Sequence, residues 1–192
     1  MRQDFSKTTE EERVRLFPVI LRGHDPAWKE AYRREADFLR RLLGQEHIVR
    51  MTHIGSSSVA GLIAKPTVDI LLEIVPQVDL QALRERLLDY GYVVNENDFD
   101  LLMCIKGYTP RGFEGQAFHL HVREAGDWDE LYFRDYLEEH VVAALAYARL
   151  KIKLQAQYEY DRDAYTNAKG DFIRQTTALA RQAFGGRYWP GK

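Results

Sequence analysis

The stretch from residue 47 to residue 75 constrains the fold more than any other part of the sequence. Its β-branched and apolar residues predict one strand over His47–Ile54 and a second over Thr67–Ile74. Between the two strands lie a turn rich in glycine and serine, Gly55–Gly61, and a bend at Lys65-Pro66. One acid, Asp69, interrupts the otherwise apolar second strand. We therefore expect a strand–turn–strand unit with one carboxylate near a turn of small residues.

This unit has the chemistry of a phosphate site. Backbone N–H groups and hydroxyls of a small-residue turn can approach phosphate oxygens closely. An acid on the following strand can hold a divalent cation beside those oxygens. We therefore expect the side chain of Asp69 to face Ser56 across a common cleft.

Bulk composition sets the class of protein and of partner. A chain of 192 residues with 45% hydrophobic and 29% charged residues fits one globular domain spanning 1–192. A net charge of −2 makes nucleic acid an unlikely partner, although a small anion needs only local positive charge. The single cysteine, Cys104, excludes an intrachain disulfide. The absence of a secretion signal or a long apolar run predicts a cytoplasmic protein that does not span the membrane.

Periodicity along the chain predicts an α+β fold, with a small mixed β-sheet, flanking helices and a helical C-terminal half. The first twelve residues show no periodicity. Besides the two strands above, we expect strands at Val14–Leu21, Tyr92–Asn95, Asp100–Tyr108 and Ala117–Arg123. The first of these would lie at an edge of the sheet because it contains Pro18. A turn is expected at residues 95–100 and a loop at Thr109–Gly115. Helices are expected from Asp25-Pro26 to Leu43, from Asp79 to Tyr90, and over Trp128–Glu138, Val142–Tyr160 and Arg162–Phe184. The sheet core then occupies residues 13–125 and the helical part residues 127–185.

The string HIGSSSVAGLIAKPTVDI, from His53 to Ile70, closely resembles the signature of the GrpB-like family, uncharacterised proteins usually classed in the nucleotidyltransferase superfamily. Matches in the same order extend the resemblance over Val14–Phe184: HDPAW, FHLHV, FRDYL, LKIKL and AYTNAKGDFI. In that superfamily a Gly-Ser turn holds the nucleotide's phosphates, and acids on neighbouring strands bind Mg²⁺. The resemblance thus implies a nucleotidyltransferase-like fold, with Gly55, Ser56 and Ser57 on the phosphates and Asp69 on the metal.

The second acid of the superfamily is missing from this strand. Nucleotidyltransferases usually carry it two residues after the first, on the same strand face, and here that position is Leu71. Glu73 shares the face, but an extended strand puts it about 13 Å from Asp69, too far to share one metal. The acid count therefore argues against polymerase-type chemistry with two metals.

His119 and His121 share one face of a predicted strand, which Arg123 continues. If this strand lies beside Asp69, the two imidazoles and the carboxylate form a possible metal-ligand set. Mg²⁺ or Mn²⁺ is the expected metal by resemblance, while this donor set would also suit Zn²⁺. Alternatively, one histidine acts as general base, or both simply form hydrogen bonds on a half-buried strand.

Positive charge for a phosphate is available in several places. Lys65 lies next to the Gly/Ser turn, where Pro66 fixes its approach. Arg123 would also neutralise charge, and Arg134, Lys151 and Lys169 lie in helical, family-like segments from which a cation could reach back to the phosphates. The alternative for each is an ordinary solvated side chain.

Three functions remain open. The first is a metal-dependent enzyme that transfers a nucleotidyl or phosphoryl group from a nucleoside triphosphate (NTP) to a small acceptor. The second is a nucleotide- or metabolite-binding module without turnover, which Leu71 favours. The third is a phosphohydrolase, for which no water-activating acid is evident. The acceptor, the base and the oligomeric state do not follow from the sequence.

Overall fold

A computed structural model describes residues 2–95 and 99–189. The strands are β1 (Ile48–Ile54), β2 (Thr67–Ile74), β3 (Tyr92–Val94), β4 (Leu102–Thr109) and β5 (Gly112–Glu124). The helices are α1 (Glu10–Leu16), α2 (Ala27–Leu43), α3 (Leu80–Asp89), α4 (Asp129–Glu139), α5 (Val141–Gln157), α6 (Arg162–Asn167) and α7 (Gly170–Phe184). The strands form one mixed sheet in the order β1-β2-β5-β4-β3. The predicted α+β class is confirmed.

Strand β2 lies inside the sheet and is covered on both faces. It pairs antiparallel with β1 and parallel with β5. Val68, Ile70, Leu72 and Ile74 point to one face and pack in the main core with residues of α2 and α3. Leu71, on the opposite face, packs against Leu131 of α4. Because alternate residues of a strand point to opposite faces, Asp69 lies on the face covered by the C-terminal helices.

Helices α2 and α3 have the predicted ends. The carboxylate of Asp25 accepts a hydrogen bond from the N–H of Ala27 at 2.9 Å, and α2 ends at Gly44 with a φ of 88°. The carboxylate of Asp79 likewise caps α3 by accepting from the N–H of Ala82 at 3.0 Å. These local signals were sufficient because each cap depends on residues adjacent in the chain.

The predicted edge strand at Val14–Leu21 is wrong, and the first twelve residues, which show no periodicity, include the start of a helix. Residues 10–16 form α1 instead, because Thr9 and Glu12 make a capping box in which each side chain accepts from the other's backbone N–H. Further along, Arg22 forms only an isolated antiparallel bridge with Ala64. The Thr-x-x-Glu spacing was therefore the signal that hydrophobic patterning overlooked.

Two other boundaries differ from the prediction. Most of the expected loop Thr109–Gly115 belongs to a hairpin, because β4 and β5 are joined by a tight turn after Thr109, which pairs with Gly112. The long helix expected over Arg162–Phe184 is divided into α6 and α7 around Lys169. Of the expected turn at residues 95–100, residues 96–98 lie outside the described part.

Helices α2 and α5 have 17 residues each. Among the helices of residues 2–95 and 99–189, none combines the length and the apolar character that crossing a bilayer requires.

Candidate functional site

The Gly/Ser turn leaves the end of β1 in a fixed conformation. Gly55 has a φ of 73°, and Ser56–Ser58 then form one turn of 3-10 helix. The hydroxyl of Ser58 donates to the carbonyl of Gly55 at 2.6 Å. Ser57 is buried, with its hydroxyl 3.1 Å from Nε2 of His53, so it supports the turn. Of the three residues predicted to hold phosphate, Gly55 and Ser56 border the adjacent cavity, and Ser57 does not.

The carboxylate of Asp69 faces this turn, as expected. Asp69 pairs in register with Ile54, the last residue of β1. A Cβ atom on Gly55 would overlap the carboxylate of Asp69, so glycine alone permits this approach. Asp69 and Ser56 border one cavity of about 510 Å³, together with Tyr147. The carboxylate and the Gly/Ser turn therefore converge on a common space.

Asp69 and His119 form a hydrogen-bonded pair across two parallel strands. They are direct register partners, and Nδ1 of His119 lies 3.0 Å from Oδ1 of Asp69. Burial opposes ionisation of Asp69, but the hydrogen bond from His119 and neighbouring positive charges lower its pKa to about 2. Burial also lowers the pKa of His119, in spite of the opposing effect of Asp69. At neutral pH the pair is thus a carboxylate hydrogen-bonded to a neutral imidazole.

Four cationic side chains from separate segments lie around this pair. Lys65 and Lys169 both lie over the ring of Tyr165, with Nζ 5.9 Å and 4.4 Å from the ring centroid. Lys151 of α5 donates to the carbonyl of Ile63. Arg162, at the start of α6, donates to the hydroxyl of Tyr108 at 2.9 Å. We call Lys65, Lys151, Lys169 and Arg162 the cation cluster.

The cation cluster lacks a matching number of negative charges. Among the described residues, none of its three lysine ammonium groups has a carboxylate within 4.0 Å. Burial, together with repulsion between the cations, lowers the pKa of Lys65 and Lys151 to about 7 and that of Lys169 to about 8. Because buried charges are normally paired, this arrangement is one that an anionic ligand would complete.

The C-terminal helices pack over the Gly/Ser turn, an arrangement that could not be derived from the sequence. Val59, within the turn, and Leu62, just after it, are buried against Leu137 of α4 and Tyr147 of α5. The Lys151–Ile63 hydrogen bond ties α5 to the same loop. The helical half therefore supplies three of the four members of the cation cluster, and the sheet with its β1–β2 connection supplies Lys65, the turn and the acid.

Two of the predicted arginines lie elsewhere. Arg123 is buried in a separate network with Asp100 and Glu130, and its guanidinium stacks on Trp128 at 4.6 Å. Arg134 pairs with Asp135 and donates to the carbonyl of His53. Their charges are compensated by carboxylates, so the structure does not bring them into the cation cluster.

His121 contacts both the network around Arg123 and the cavity beside Ser56. Its Nδ1 lies 3.0 Å from Oδ2 of Asp100, and its ring also borders the cavity that contains Asp69 and Ser56.

The predicted Asp-His-His metal centre does not match these contacts. Within residues 2–95 and 99–189, no three His, Cys, Asp or Glu side chains are grouped as a metal centre requires. Both ring nitrogens of His119 have hydrogen-bond partners, Asp69 and Tyr108. A cation carried by a polyphosphate is a different case, because Mg²⁺ often takes only one or two protein carboxylates together with phosphate oxygens. Asp69, beside the Gly/Ser turn, fits that single-ligand role.

Sequence reasoning missed several residues of the site, namely Tyr108, Arg162, Tyr147 and Tyr165. Tyr147 and Tyr165 are buried aromatic residues. Arg162 has no local signal, since it follows the helix cap Asp161 and nothing nearby distinguishes it from a solvated arginine. Only Tyr108 carried a hint, because an isolated glycine in a strand, here Gly107, often marks a bulge.

Comparison with known proteins identifies relatives over most of the chain. The family model described as GrpB protein matches residues 18–179. The UPF0157 protein PA4798 of Pseudomonas aeruginosa is 34% identical over 177 residues, which cover 91% of this chain and 70% of that protein. The glutamate-rich protein GrpB of Alkalihalophilus pseudofirmus is 31% identical over 160 residues, covering 81% of this chain and 91% of that protein.

A solved structure agrees with these matches. The crystal structure of the conserved protein GrpB from Enterococcus faecalis superposes with a TM-score of 0.75 at 27% identity, covering 86% of this chain and 99% of that chain. With the family model spanning residues 18–179, the chain belongs to the GrpB family.

Proposed function

We propose that this protein binds an NTP at the Gly/Ser turn and transfers a nucleotidyl or phosphoryl group to a small acceptor. The observation that carries the proposal is the cation cluster beside Gly55, Ser56 and Asp69, whose lysines have no carboxylate partner among the described residues. A triphosphate is a ligand of matching charge. A monovalent anion would leave most of the buried positive charge unbalanced.

The cavity beside Ser56 supports a nucleoside rather than a bare polyphosphate. Its lining includes the apolar and aromatic side chains of Ile54, Phe133, Tyr147 and Ile173. Small-molecule sites are typically apolar pockets with a few convergent polar groups, and a base and ribose fit this description. Phosphates directed towards the cation cluster would leave the nucleoside in this cavity.

Each residue then has a definite role in the transfer. Lys65, Lys151, Lys169 and Arg162 stabilise the negative charge that develops on the transferring phosphorus and the leaving group. The hydroxyl of Ser56 and the turn backbone orient the phosphates. His119, held by Asp69, is the candidate base, because one imidazole nitrogen bonds the carboxylate and the other faces a hydroxyl.

A divalent cation, Mg²⁺ or Mn²⁺ by preference, would be held by Asp69 and the phosphates, and would supply further charge neutralisation. Zn²⁺ is the less favoured choice, because the described residues do not provide the nitrogen-rich ligand set that it prefers.

A second candidate function is nucleotide binding without turnover. Leu71, where a second acid would lie, is fully buried against Ile54 and Leu131 and makes no polar contribution. A site with one carboxylate binds a charged polyphosphate well but has less means of activating an acceptor. The two functions therefore share the site and differ in chemistry.

One experiment separates these functions. The full chain is heated with each of the four NTPs, with tripolyphosphate and without ligand, in the presence of Mg²⁺, Mn²⁺ or Zn²⁺, while pyrophosphate and phosphate release are measured. We expect stabilisation by NTPs and pyrophosphate release with hydroxyl or amine acceptors. Stabilisation without release across a broad acceptor set would support the binding module, and phosphate release without acceptor would indicate hydrolysis. The absence of any stabilisation would overturn the NTP site.

Asp69→Asn and Ser56→Ala test the site directly. Both replacements are close in size to the native side chains, so the fold should persist. We expect each variant to lose most of the NTP-dependent stabilisation. Lys153→Met, on the exposed side of α5, is the matched control and should behave as the wild type.

A further inference from the structure

Tyr108 reaches the candidate site through an irregularity in its strand. The pairing of β4 with β5 shifts register between Lys106 and Tyr108, around Gly107 with a φ of 84°. A Cβ on Gly107 would lie 2.6 Å from the carbonyl oxygen of Gln116, so only glycine fits there. Ile105 pairs in register with His119, so their side chains share one face of the sheet. In a regular strand Tyr108 would point to the opposite face from Ile105. The shift places it on that face, a use of bulges that is frequent beside active sites.

The hydrogen bonds of Tyr108 have a fixed direction. Its hydroxyl lies 2.8 Å from Nε2 of His119 and accepts from Arg162 at 2.9 Å. A carboxylate oxygen of Asp69 lies 3.0 Å from Nδ1 of His119 and acts as acceptor, which assigns the one N–H of a neutral imidazole to Nδ1. Nε2 must therefore accept, and the Tyr108 hydroxyl donates its proton to it.

This chain of contacts has the arrangement of an activated nucleophile. A hydroxyl bonded to a base, with the base oriented by a third group, is the recognised geometry for covalent catalysis, and tyrosine is among the residues that serve in it. The guanidinium of Arg162 would stabilise the phenolate as the proton leaves. The ring of Tyr108 packs in a small core cluster with Phe17 and Ala117, which holds the hydroxyl in this position.

The surroundings allow a phosphorus to approach. Tyr108, His119, Lys65 and Arg162 border a second cavity of about 850 Å³, whereas Asp69 borders the cavity beside Ser56. The Asp69–His119 pair thus lies between the two cavities. A nucleotide whose nucleoside lies in the cavity beside Ser56, and whose phosphates extend past the Asp69–His119 pair towards Lys65 and Arg162, would have its phosphorus atoms close to the Tyr108 hydroxyl.

We propose that Tyr108 is a nucleotidyl acceptor, so that the protein modifies itself with the nucleotide it binds. This inference rests on the proposed function. In the step, Oη of Tyr108 forms a bond to the α-phosphorus of the NTP, and the bond from that phosphorus to the pyrophosphate oxygen breaks. The phenolic proton moves to Nε2 of His119, and pyrophosphate leaves. The product is a phosphodiester between Tyr108 and the nucleoside.

Intact-mass spectrometry tests the proposal. The full chain is incubated with ATP, GTP, CTP or UTP and Mg²⁺ or Mn²⁺, denatured and weighed, and the modified peptide is sequenced. We expect a mass increase of one nucleotidyl group on Tyr108 with at least one nucleotide. His119→Gln should slow the labelling by about a hundredfold or more, the usual contribution of a general base.

Tyr108→Phe is the decisive variant, with Tyr90→Phe, at an exposed tyrosine that borders neither cavity, as its control. Tyr108→Phe should lose the adduct, whereas Tyr90→Phe should form it as the wild type does. An adduct on another residue, or an adduct that persists in Tyr108→Phe, would overturn the proposal.

The failure of this proposal is distinguishable from failure of the proposed function. If NTPs stabilise the wild-type chain but leave it unmodified with all four nucleotides and both metals, the acceptor role of Tyr108 is refuted and the NTP site stands. If no NTP stabilises the chain, the site and the acceptor role are refuted together.

Discussion

The carboxylate of Asp69 lies in the space that a side chain on Gly55 would need. This contact joins the end of β1 to the acid of β2, and it explains why the Gly/Ser turn must begin with glycine. It also makes the approach of the acid to the turn testable by adding a single methyl group.

Gly55→Ala should destabilise the protein and remove NTP binding. The variant forces alanine to a φ of 73° and into the Asp69 carboxylate, which together should cost about 2–4 kcal/mol in unfolding free energy. Urea unfolding and NTP-dependent thermal shift measure the two effects. Gly61→Ala is a matched control, because Gly61 has a φ of 75° with nothing within 4 Å of its added Cβ. Equal losses in both variants would show that the Gly55–Asp69 contact has no special importance.

Lys169→Met should stabilise the free protein while abolishing its response to NTPs. Lys169 is 9% exposed, and its ammonium lies over Tyr165 without a carboxylate within 4.0 Å among the described residues. Replacing a buried unpaired charge by an apolar side chain of similar length should add about 1 kcal/mol to the unfolding free energy. Thermal unfolding with and without tripolyphosphate tests both parts, and Lys153→Met provides the exposed control. Retained ligand-dependent stabilisation would remove Lys169 from the site.

The affinity for tripolyphosphate should fall as the pH rises from 7 to 9. In the free protein the pKa of Lys65 and Lys151 is about 7 and that of Lys169 about 8. A bound anion favours the protonated, charged form of these lysines, so anion binding is coupled to proton uptake. The affinity for the anion therefore decreases as the pH rises and the proton concentration falls. We expect a decrease of roughly tenfold or more, since each coupled protonation contributes up to a factor of ten per pH unit. Titration calorimetry in two buffers of different ionisation enthalpy should also detect the proton uptake. An affinity independent of pH would contradict the lysine assignments.

Removing Arg50 should destabilise the fold far from the candidate site. Glu73 is fully buried, and its carboxylate accepts from the guanidinium of Arg50 and from the N–H of Gly126 at 2.9 Å. Arg50→Ala leaves this carboxylate without its cation and should cost about 3–5 kcal/mol. The double variant Arg50→Met, Glu73→Leu should recover most of the loss, because both charges are then absent. A loss in the double variant as large as in the single one would show that side-chain packing, rather than the ion pair, determines the effect.

The sequence predicted the elements whose signals are local. The start of α2 directly after Asp25-Pro26, the cap at Asp79 and the strand Thr67–Ile74 agree with the structure, since each depends on residues a few positions apart. The expected orientation of the Asp69 side chain towards the Gly/Ser turn also agrees with the structure.

The residues that were missed depend on distant contacts. Arg162 and His119 meet at Tyr108, although they are 43 positions apart in the chain. The separation of α6 from α7 turns Lys169 inward, a packing result that helical periodicity does not contain. Likewise, the carboxylates that occupy Arg123 and Arg134 lie on neighbouring segments, and only the folded chain shows that they compensate these charges. Sequence alone thus identified cations of the right type without showing which of them are free to meet a ligand.

The division of the site between sheet and helices has a consequence for biosynthesis. The acid and the Gly/Ser turn are made early, at residues 55–69, whereas three members of the cation cluster come from residues 151–169. On the proposed function, a nascent chain that has folded its sheet therefore still lacks three of the four cations that would retain a triphosphate. The complete cluster forms only when the last helices emerge from the ribosome and dock, so on the same proposal a prematurely ended chain would not sequester nucleotide.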